Sequence, residues 1–542
     1  MKLIEFNLKN NLLLYIFFSV YLIIGLIIYK DYSISFDEDL HRMNGFISFQ
    51  YILNFFSIPY DLNEVISDIP DIKTDWRKTY GVAFDLPLAF IETVFKINDT
   101  KSIYLLRHLF TFLIFFSSTI CFYHLINLNF KNKNLSLLGV ALLILSPRIF
   151  GDSFYNSRDI IFLSFIIFTT YYSLKALNEE KIKYIILASL FASLSANTRV
   201  LGCFIPVMAI FFYYLNCKGE EIFKKTFKFS FLYIFFFLFF LFISWPYLWE
   251  NPFRNFFASF LEFSNYPFDI YILYLGEYIN SKYVPWHYFF VWFFITTPIL
   301  YVFFIFIGLF YVLRIFVVNF INIDEKNDFL LWKNNSEMNE LFVLFVFLIP
   351  IFIVIVLNST LYTGWRHLYF VYPPLIFIGI KGIDNLLNLF SKPGKIFIYL
   401  CLIVQIIFVA NDLVKIHPVQ AVYFNSVSKN IINNAFFYDY WGLGNKLSLE
   451  KLLNNKKYSK PIKIATSSLT DLNKTKLIMD SEKRDEFIFL GTNKQDADFI
   501  FTNYYYNVPP DSDNKFLIPK NYDSIIKLEI GGLLINEIYE KK

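Results

Sequence analysis

Three acidic residues that follow the first apolar run are the first candidates for chemistry. The segment Ser35-Phe36-Asp37-Glu38-Asp39-Leu40-His41-Arg42 places their carboxyl groups beside a histidine and an arginine. A carboxylate held at a membrane surface can act as a general base on a charged or polar substrate. Consecutive residues do not share a helix face, so Asp37 could act on the substrate while Glu38 positions a partner. Asp37 and Asp39 could instead bind a divalent cation, which prefers carboxylate oxygen, and an acidic helix N-cap would need no substrate at all.

Later segments bring cationic and aromatic residues to the ends of other apolar runs. They are Ser146-Pro147-Arg148, Asn156-Ser157-Arg158-Asp159, Thr198-Arg199, Pro285-Trp286-His287-Tyr288 and Tyr362-Thr363-Gly364-Trp365-Arg366-His367. Tryptophan and tyrosine are common at any membrane interface. Arginine, histidine and aspartate have no such general explanation there. Their recurrence predicts one site, built by several loops, for an anionic ligand.

The composition shows what kind of protein must position these residues. Of the 542 residues, 56% are hydrophobic and 17% are charged, and the mean hydropathy is +0.47. Soluble domains are about 25% charged, so this composition excludes an ordinary soluble protein and a disordered chain. The net charge of +4 is small and dispersed, which gives no indication of a nucleic-acid partner. The four cysteines lie in or beside apolar runs without paired spacing, as buried hydrophobic residues do.

The apolar runs predict a mainly α-helical polytopic membrane protein with about eleven transmembrane helices. The runs lie near 12–29, 104–126, 135–147, 160–177, 184–197, 200–216, 229–246, 288–311, 341–357, 368–387 and 396–411. Lysines concentrate in alternate short loops, which places those loops and the N-terminus in the cytoplasm. The remaining loops and the C-terminal segment are then extracytoplasmic. On this topology seven of the ten arginines lie in the predicted outer loops, and arginine binds phosphate or carboxylate through a two-pronged planar group.

The chain divides into two predicted domains. Residues 1–414 form a transmembrane catalytic domain whose first outer loop is 30–103, and residues 415–542 form a small extracytoplasmic α/β domain. Strands are predicted at 463–467, 486–490 and 499–504, with a helix at 447–453. A hairpin is predicted from 524–530 to 533–539, around the Gly531-Gly532 turn.

Taken in order, these motifs resemble the membrane glycosyltransferases of the GT-C fold. The similarity is to protein O-mannosyltransferases and bacterial lipid A aminoarabinose transferases. It rests on Asp37-Glu38, the Ser-Pro-Arg and Asn-Ser-Arg-Asp segments, Thr198-Arg199 and Gly364-Trp365-Arg366-His367. The segments His417-Pro418-x-Gln420-x-x-Tyr423-Phe424-Asn425 and Asp439-Tyr440-Trp441-Gly442-Leu443 resemble a bacterial subgroup with a soluble C-terminal domain.

The resemblance implies transfer of a sugar from a polyprenyl-phosphate donor to an acceptor on the extracytoplasmic face, with inversion. It implies Asp37 as the base and Glu38 as a residue that positions the acceptor or the first carboxylate. It maps donor-phosphate binding onto Arg158, Arg199, Arg366 and His367, with Arg42, His287 and Trp365 as further substrate or loop candidates. No cofactor is expected, and a Mg²⁺ or Mn²⁺ ion would use Asp37 and Asp39.

The acceptor stays open between a glycan, a lipid and a protein. The sequence lacks a β-trefoil-like repeat, which disfavours a eukaryote-like protein mannosyltransferase. Its Phe, Ile, Asn and Lys bias is typical of AT-rich bacterial genes, which predicts a bacterial inner membrane with the C-terminal domain in the periplasm or outside the cell.

Two rival functions share some of these features. A polyprenyl-lipid flippase would also have intramembrane charge, but the charged motifs lie at one face and no inverted repeat is visible. A glycan ligase or polymerase would concentrate arginine and histidine in one large outer loop, whereas here they are spread over several.

Overall fold

A computed structural model describes residues 8–217, 221–264, 266–321, 331–426, 432, 435–455, 458, 460–509 and 512–542. Helices dominate the first three quarters of the chain, and strands appear mainly in the last quarter. The helices are α1 (Leu8–Ile28), α2 (Glu38–Phe55), α3 (Asp85–Val94), α4 (Thr100–Phe130), α5 (Lys133–Ile144), α6 (Pro147–Tyr155), α7 (Asp159–Glu179), α8 (Ile182–Thr198), α9 (Phe204–Asn216), α10 (Ile222–Ser244), α11 (Pro252–Ser264), α12 (Tyr288–Thr296), α13 (Ile299–Ile321), α14 (Asn335–Val356), α15 (Tyr372–Leu389), α16 (Lys392–Lys415), α17 (Asn445–Leu453), α18 (Leu472–Lys476) and α19 (Ser481–Arg484).

The long apolar helices confirm a mainly helical polytopic membrane protein. Seven helical segments in the described residues are long and apolar enough to cross a bilayer, and the bent pair α5–α6 would make eight. Three shorter apolar helices, α1 from residue 12, α8 and a segment that includes α9, account for other predicted runs. The figure of eleven spans stays a prediction.

A helix break at a proline splits one of the predicted runs and ends another. The run at 288–311 is not one span, because α12 ends at Thr296 and α13 begins at Ile299 and continues to Ile321. Thr297 is extended, with φ −100° and ψ 138°, as a residue before proline usually is. The run at 135–147 ends at the 69° bend where α6 starts with Pro147. Hydropathy identified both runs, but it did not locate the breaks.

Close helix packing fixes the element that leads into the site. Helix α15 is continuous with a 3-10 helix at Arg366–Val371, so the packing of α15 sets the position of that turn. A Cβ atom on Gly308 would come within 1.9 Å of the Ile378 carbonyl oxygen, and one on Gly382 within 2.3 Å of the Phe304 carbonyl oxygen. Glycine therefore lets α13 and α15 approach backbone to backbone, as small residues do between membrane helices.

The C-terminal segment forms a five-stranded mixed sheet in which the neighbouring strands are, in spatial order, 487–489, 462–466, 499–502, 533–541 and 522–530. Its strands are β3 (Ile462–Thr466), β4 (Phe487–Phe489), β5 (Phe499–Thr502), β6 (Tyr522–Ile530) and β7 (Leu533–Lys541), and an earlier hairpin pairs β1 (Tyr271–Tyr274) with β2 (Glu277–Asn280). Strand β3 is parallel to β4 and β5, whereas β7 is antiparallel to β5 and β6. The predicted strands, the predicted helix at α17 and the hairpin around Gly531-Gly532 are confirmed to within two residues at each end.

Ionic and apolar contacts join this sheet domain to the first loop. Lys474 donates to Asp39 (Nζ–Oδ1, 3.0 Å) and to the Phe36 carbonyl oxygen (2.7 Å). Arg484 contacts Asp99 at 3.1 Å. Ile478 is fully buried in a cluster with Ile34 and Tyr104. The two predicted domains are thus in direct contact beside the acidic segment.

A buried ion pair far along the chain from the acidic segment gives a first prediction. Glu340 on α14 accepts hydrogen bonds from Lys381 (2.7 Å) and Asn129 (3.0 Å), and its side chain is only 3% exposed. We expect Glu340→Leu to lower the free energy of unfolding by about 1–3 kcal/mol, because the Asn129 amide and the largely buried Lys381 ammonium lose their shared acceptor. Thermal unfolding in detergent measures the loss. The double variant Glu340→Leu/Lys381→Leu should recover most of it, and equal losses in both variants would contradict the ion-pair explanation.

Candidate active site

A cavity of about 1020 Å³ opens where the first loop, the start of α15 and the C-terminal segment meet. Its charged and polar lining comes mainly from loops and helix ends and includes Asp37, His41, Asn44, Arg77, Arg158, Thr198, Arg199, Thr363, Arg366, His367, Tyr440 and Asn507. Its apolar lining comes largely from α9 and α14 and includes Phe204, Val207, Met208, Phe211, Phe345, Ile349, Ile353 and Val354. The cavity therefore offers a charged region and a hydrocarbon-like region to the same ligand.

Arg366 is the central cation of the charged region. Its two terminal nitrogens lie 3.2 Å from the Asp37 carboxylate and 3.2 Å from the Asp159 carboxylate. Its Nε donates to Thr363 Oγ1 at 2.6 Å. The guanidinium carbon also lies 4.7 Å from the centroid of the Trp441 ring, which holds the group by a cation–π contact. A planar group held at all three nitrogens has a fixed orientation.

Asp159 forms salt bridges with two arginines of the cavity lining, Arg199 and Arg366. It is 2% exposed at the start of α7 and pairs with both Arg366 and Arg199. Asn156 fixes it from the preceding turn, since the Asn156 side-chain amide donates to the carboxylate at 3.0 Å and the amide oxygen accepts the Asp159 N–H at 3.1 Å. Without this carboxylate the two guanidiniums would repel each other in a region that excludes water.

The two adjacent acids of the first loop point to different places. Asp37 precedes α2, lines the cavity and leaves 27% of its side chain exposed. Glu38 is 1% exposed and lies outside the cavity, 3.0 Å from His108 Nε2, while it accepts the Ser35 N–H at 2.7 Å. Glu38 thereby closes the turn that carries Asp37. This geometry suits a base at Asp37 and a supporting position for Glu38.

Arg158 and His367 also line the cavity. Arg158 donates to the Gly81 carbonyl oxygen at 3.1 Å and lies 4.7 Å from the centroid of the Tyr80 ring. Within the described residues, no carboxylate forms a salt bridge with Arg158. His367 packs edge-on against Tyr362, with ring centroids 4.6 Å apart. The structure thus brings together Asp37, Arg158, Arg199, Arg366 and His367 from widely separated segments.

Other predicted residues lie outside the cavity lining. Arg42 pairs with Glu92 at 2.8 Å, His287 Nδ1 lies 2.7 Å from the Tyr274 hydroxyl, and Trp365 donates to Thr296 at 2.9 Å. Asp39 faces away from the cavity toward Lys474. Asp37 and Asp39 therefore pair with different cations, and the described residues contain no cluster of three or more His, Cys, Asp or Glu side chains suited to a metal. The use of a metal stays untested.

Several lining polar atoms have no partner within the described residues. They include His367 Nδ1 and Arg199 Nε. A buried donor or acceptor without a partner costs about 1–3 kcal/mol, which a polar ligand would recover. These atoms add to the evidence that the charged region is a binding site.

Four residues that have no predicted role in the sequence analysis either line the cavity, as His41, Tyr440 and Trp441 do, or support its lining, as Asp159 does. Asp159, Tyr440 and Trp441 stood inside motifs that had been recognised, but no role was assigned to them. Asp159 could have been found, because an acid next to an arginine in a buried segment must balance a charge.

The surroundings of His41 favour its neutral form. Removal from water lowers its pKa well below the usual value, and the positive charges of Arg158 and Arg107 act in the same direction. A neutral imidazole at neutral pH can donate one hydrogen bond and accept another. His41 therefore adds a polar, uncharged group beside Asp37.

Comparison with known proteins supports one class of reaction. Residues 86–245 match the sequence model of the family described as Dolichyl-phosphate-mannose-protein mannosyltransferase, which covers Arg158, Asp159 and Arg199. This match confirms the resemblance to GT-C mannosyltransferases and supports a glycosyltransferase. No curated protein matches the chain in sequence.

Two solved structures are also similar to the chain. ArnT from Cupriavidus metallidurans bound to undecaprenyl phosphate aligns at 11% identity with a TM-score of 0.48, and its apo form aligns at 9% identity with a TM-score of 0.47. Each alignment covers 98% of this chain and 98% of the other.

The contrast between Asp159 and Asp37 gives a second prediction. We expect Asp159→Asn to lower the free energy of unfolding by about 3–5 kcal/mol, because the buried Arg366 and the partly exposed Arg199 lose their shared buried carboxylate. Asp37→Asn should cost much less, since Asp37 is partly exposed and contacts only one of those arginines. Thermal unfolding of both variants in the same detergent measures the difference. Equal destabilisation would show that Asp159 does not organise the cluster.

Proposed function

We propose that the protein is an integral-membrane glycosyltransferase that moves a sugar from a polyprenyl-phosphate donor to an acceptor hydroxyl, with inversion. The observation that carries this proposal is the single cavity in which Asp37 and three arginines adjoin an apolar lining. The family match over residues 86–245 supports the same reaction class. We further propose that the protein lies in a bacterial inner membrane with the C-terminal domain on the extracytoplasmic side.

The donor fits both regions of the cavity. The polyprenyl chain would lie against α9 and α14, and Val207 and Phe211 on α9 are both more than half exposed. The phosphate would lie among Arg158, Arg199 and Arg366. Asp37 in the lining and the buried Asp159 behind it are the two carboxylates that pair with Arg199 and Arg366, so the three arginines carry an excess of positive charge that attracts a phosphate.

The transfer would proceed as a single displacement. The Asp37 carboxylate takes the proton of the acceptor hydroxyl while the acceptor oxygen forms a bond to the anomeric carbon of the sugar. The bond between that carbon and the phosphate oxygen breaks, and polyprenyl phosphate leaves with the electron pair. Attack from the side opposite the leaving group inverts the configuration at the anomeric carbon.

The arginines would act mainly on the leaving group. The phosphate gains negative charge as the sugar departs, and guanidiniums that are already oriented stabilise this charge without reorganisation. Arg366 is oriented by its contacts with Asp159 and Thr363. Because Arg366 also contacts Asp37, this one cation would lie between the donor phosphate and the proposed base.

Asp37 supplies the third prediction. We expect Asp37→Asn to lower the rate of transfer by about 10²–10⁴-fold, the usual contribution of a general base. The measurement is transfer of radiolabelled sugar from undecaprenyl phosphate in proteoliposomes. Asp61→Asn is the matched control, since Asp61 is an exposed helix cap of the same loop and asparagine caps equally well. Undiminished turnover in Asp37→Asn would remove Asp37 as the base, and labelled lipid that crosses the bilayer unreacted would identify a flippase.

Arg366 supplies the fourth prediction. We expect Arg366→Ala to weaken binding of undecaprenyl phosphate by about ten- to a hundredfold, since a hydrogen bond to a charged group contributes about 1.5–3 kcal/mol. Arg366→Lys should bind at an intermediate level, because lysine keeps the charge but loses the planar fork. Lys224→Ala is the control, as Lys224 is exposed near the start of α10. Equal effects of Arg366→Ala and Lys224→Ala would show that Arg366 does not bind the phosphate.

A further inference from the structure

A second pocket, of about 240 Å³, lies in the C-terminal domain. It is formed where β3 and β4 end, with Thr466 from β3 and Gly491 just after β4 among its lining residues. These two strands are parallel neighbours. Ligands of open α/β sheets bind in the crevice outside the carboxyl ends of such strands, so the pocket has the position of a binding site.

The charges around this pocket leave little that would attract an ion. Its two charged lining residues are Asp471 and Lys515. Lys515 Nζ pairs with Asp513 at 2.9 Å, and the Asp471 carboxylate caps α18 by accepting the Asn473 N–H at 2.9 Å. Each charge is already engaged, which favours a neutral ligand over a phosphate or a nucleotide.

Hydroxyl groups, aromatic rings and aliphatic side chains such as Ile464 and Leu472 make up most of the remaining lining. Ser468 Oγ accepts the Asn503 N–H at 3.3 Å, and Thr470 Oγ1 accepts from the Asn445 side-chain amide at 2.8 Å. A hydroxyl that accepts one hydrogen bond can still donate its own proton. Phe489 and Phe516 add aromatic surface. Polar groups beside aromatic surface suit a ligand with both hydroxyls and C–H faces, as a sugar ring has.

The pocket and the large cavity are neighbours. Leu469 lines both of them, between Ser468 and Thr470. Lys474, in the helix that follows, contacts Asp39 and the Phe36 carbonyl oxygen, and so fixes this edge of the sheet to the turn that carries Asp37. A sugar held in the pocket would therefore lie next to the large cavity, with Leu469 between the two.

We infer that this pocket binds a neutral carbohydrate and holds the acceptor glycan beside the catalytic cavity. The inference rests on the proposed function for its role in transfer. It narrows the acceptor from a glycan, a lipid or a protein to a glycan, and gives the C-terminal domain the task of binding it.

The test uses the full chain in nanodiscs and neutral disaccharides of mannose, galactose and N-acetylglucosamine as probes. Saturation-transfer NMR reports their binding. We expect at least one disaccharide to bind the wild type and Thr492→Trp to weaken its binding at least tenfold, because Thr492 is an exposed lining residue whose replacement fills the pocket. Lys520→Trp is the matched control, since Lys520 is exposed in the same domain but does not line the pocket.

A second measurement separates this inference from the proposed function. Binding of undecaprenyl phosphate and slow release of labelled sugar from the donor to water depend on the large cavity, so Thr492→Trp should leave both unchanged. Transfer to the disaccharide that binds should fall in Thr492→Trp through a raised KM. If no disaccharide binds the wild type, or if Thr492→Trp and Lys520→Trp bind it equally, the pocket is not a carbohydrate site. A wild type that releases no sugar and binds no lipid phosphate would overturn the proposed function, while disaccharide binding would still stand.

Discussion

In the charged region of the cavity, carboxylates hold arginines close together, and both Asp159 and Arg366 are buried. Arg199 and Arg366 approach each other because Asp159 lies between them, and Arg366 in turn approaches Asp37. Repulsion between unpaired guanidiniums would be strong in a low-dielectric environment. Asn156 holds Asp159 from the turn before α7. The geometry of the proposed phosphate site thus depends on one buried aspartate that need not touch the substrate.

The apolar helices and this charged cluster would bind different parts of the proposed lipid-linked donor. A lipid-linked sugar has a hydrocarbon chain that must remain in contact with the bilayer and a phosphate that must be gripped at its surface. Val207 and Phe211 on α9 provide exposed apolar surface in the same cavity whose other wall carries Arg158. The close packing of α13 on α15, allowed by Gly308 and Gly382, anchors the turn that brings in Arg366. The membrane helices therefore position charged side chains of the cavity as well as span the bilayer.

The C-terminal domain belongs to the site. Tyr440 and Trp441 form part of the cavity wall, and Trp441 packs on the Arg366 guanidinium. Lys474 ties the sheet domain to the acidic turn. A domain that both encloses the cavity and carries its own neighbouring pocket is well placed to select what reaches Asp37.

The sequence by itself determined the protein's class and most of its elements. A long apolar run in a bilayer forms a helix, because a helix makes all of its backbone hydrogen bonds within the run. Short alternating segments on either side of Gly531-Gly532 specify a hairpin. Both features therefore follow from the local sequence. Motifs also identified Asp37, Arg199 and Arg366, because their residue types are costly at a membrane surface unless they are used.

Only the tertiary structure decided which charged residues share a cavity. Glu38 stands next to Asp37 in sequence, yet it turns to His108, whereas Asp159 is far from Arg366 in sequence and pairs with it. His287 and Trp365 look like site residues from their neighbours but contact Tyr274 and Thr296 outside the cavity lining. Such partnerships depend on how helices pack and where Pro147 and Pro298 break them, and residue type and spacing along the chain do not encode those distances.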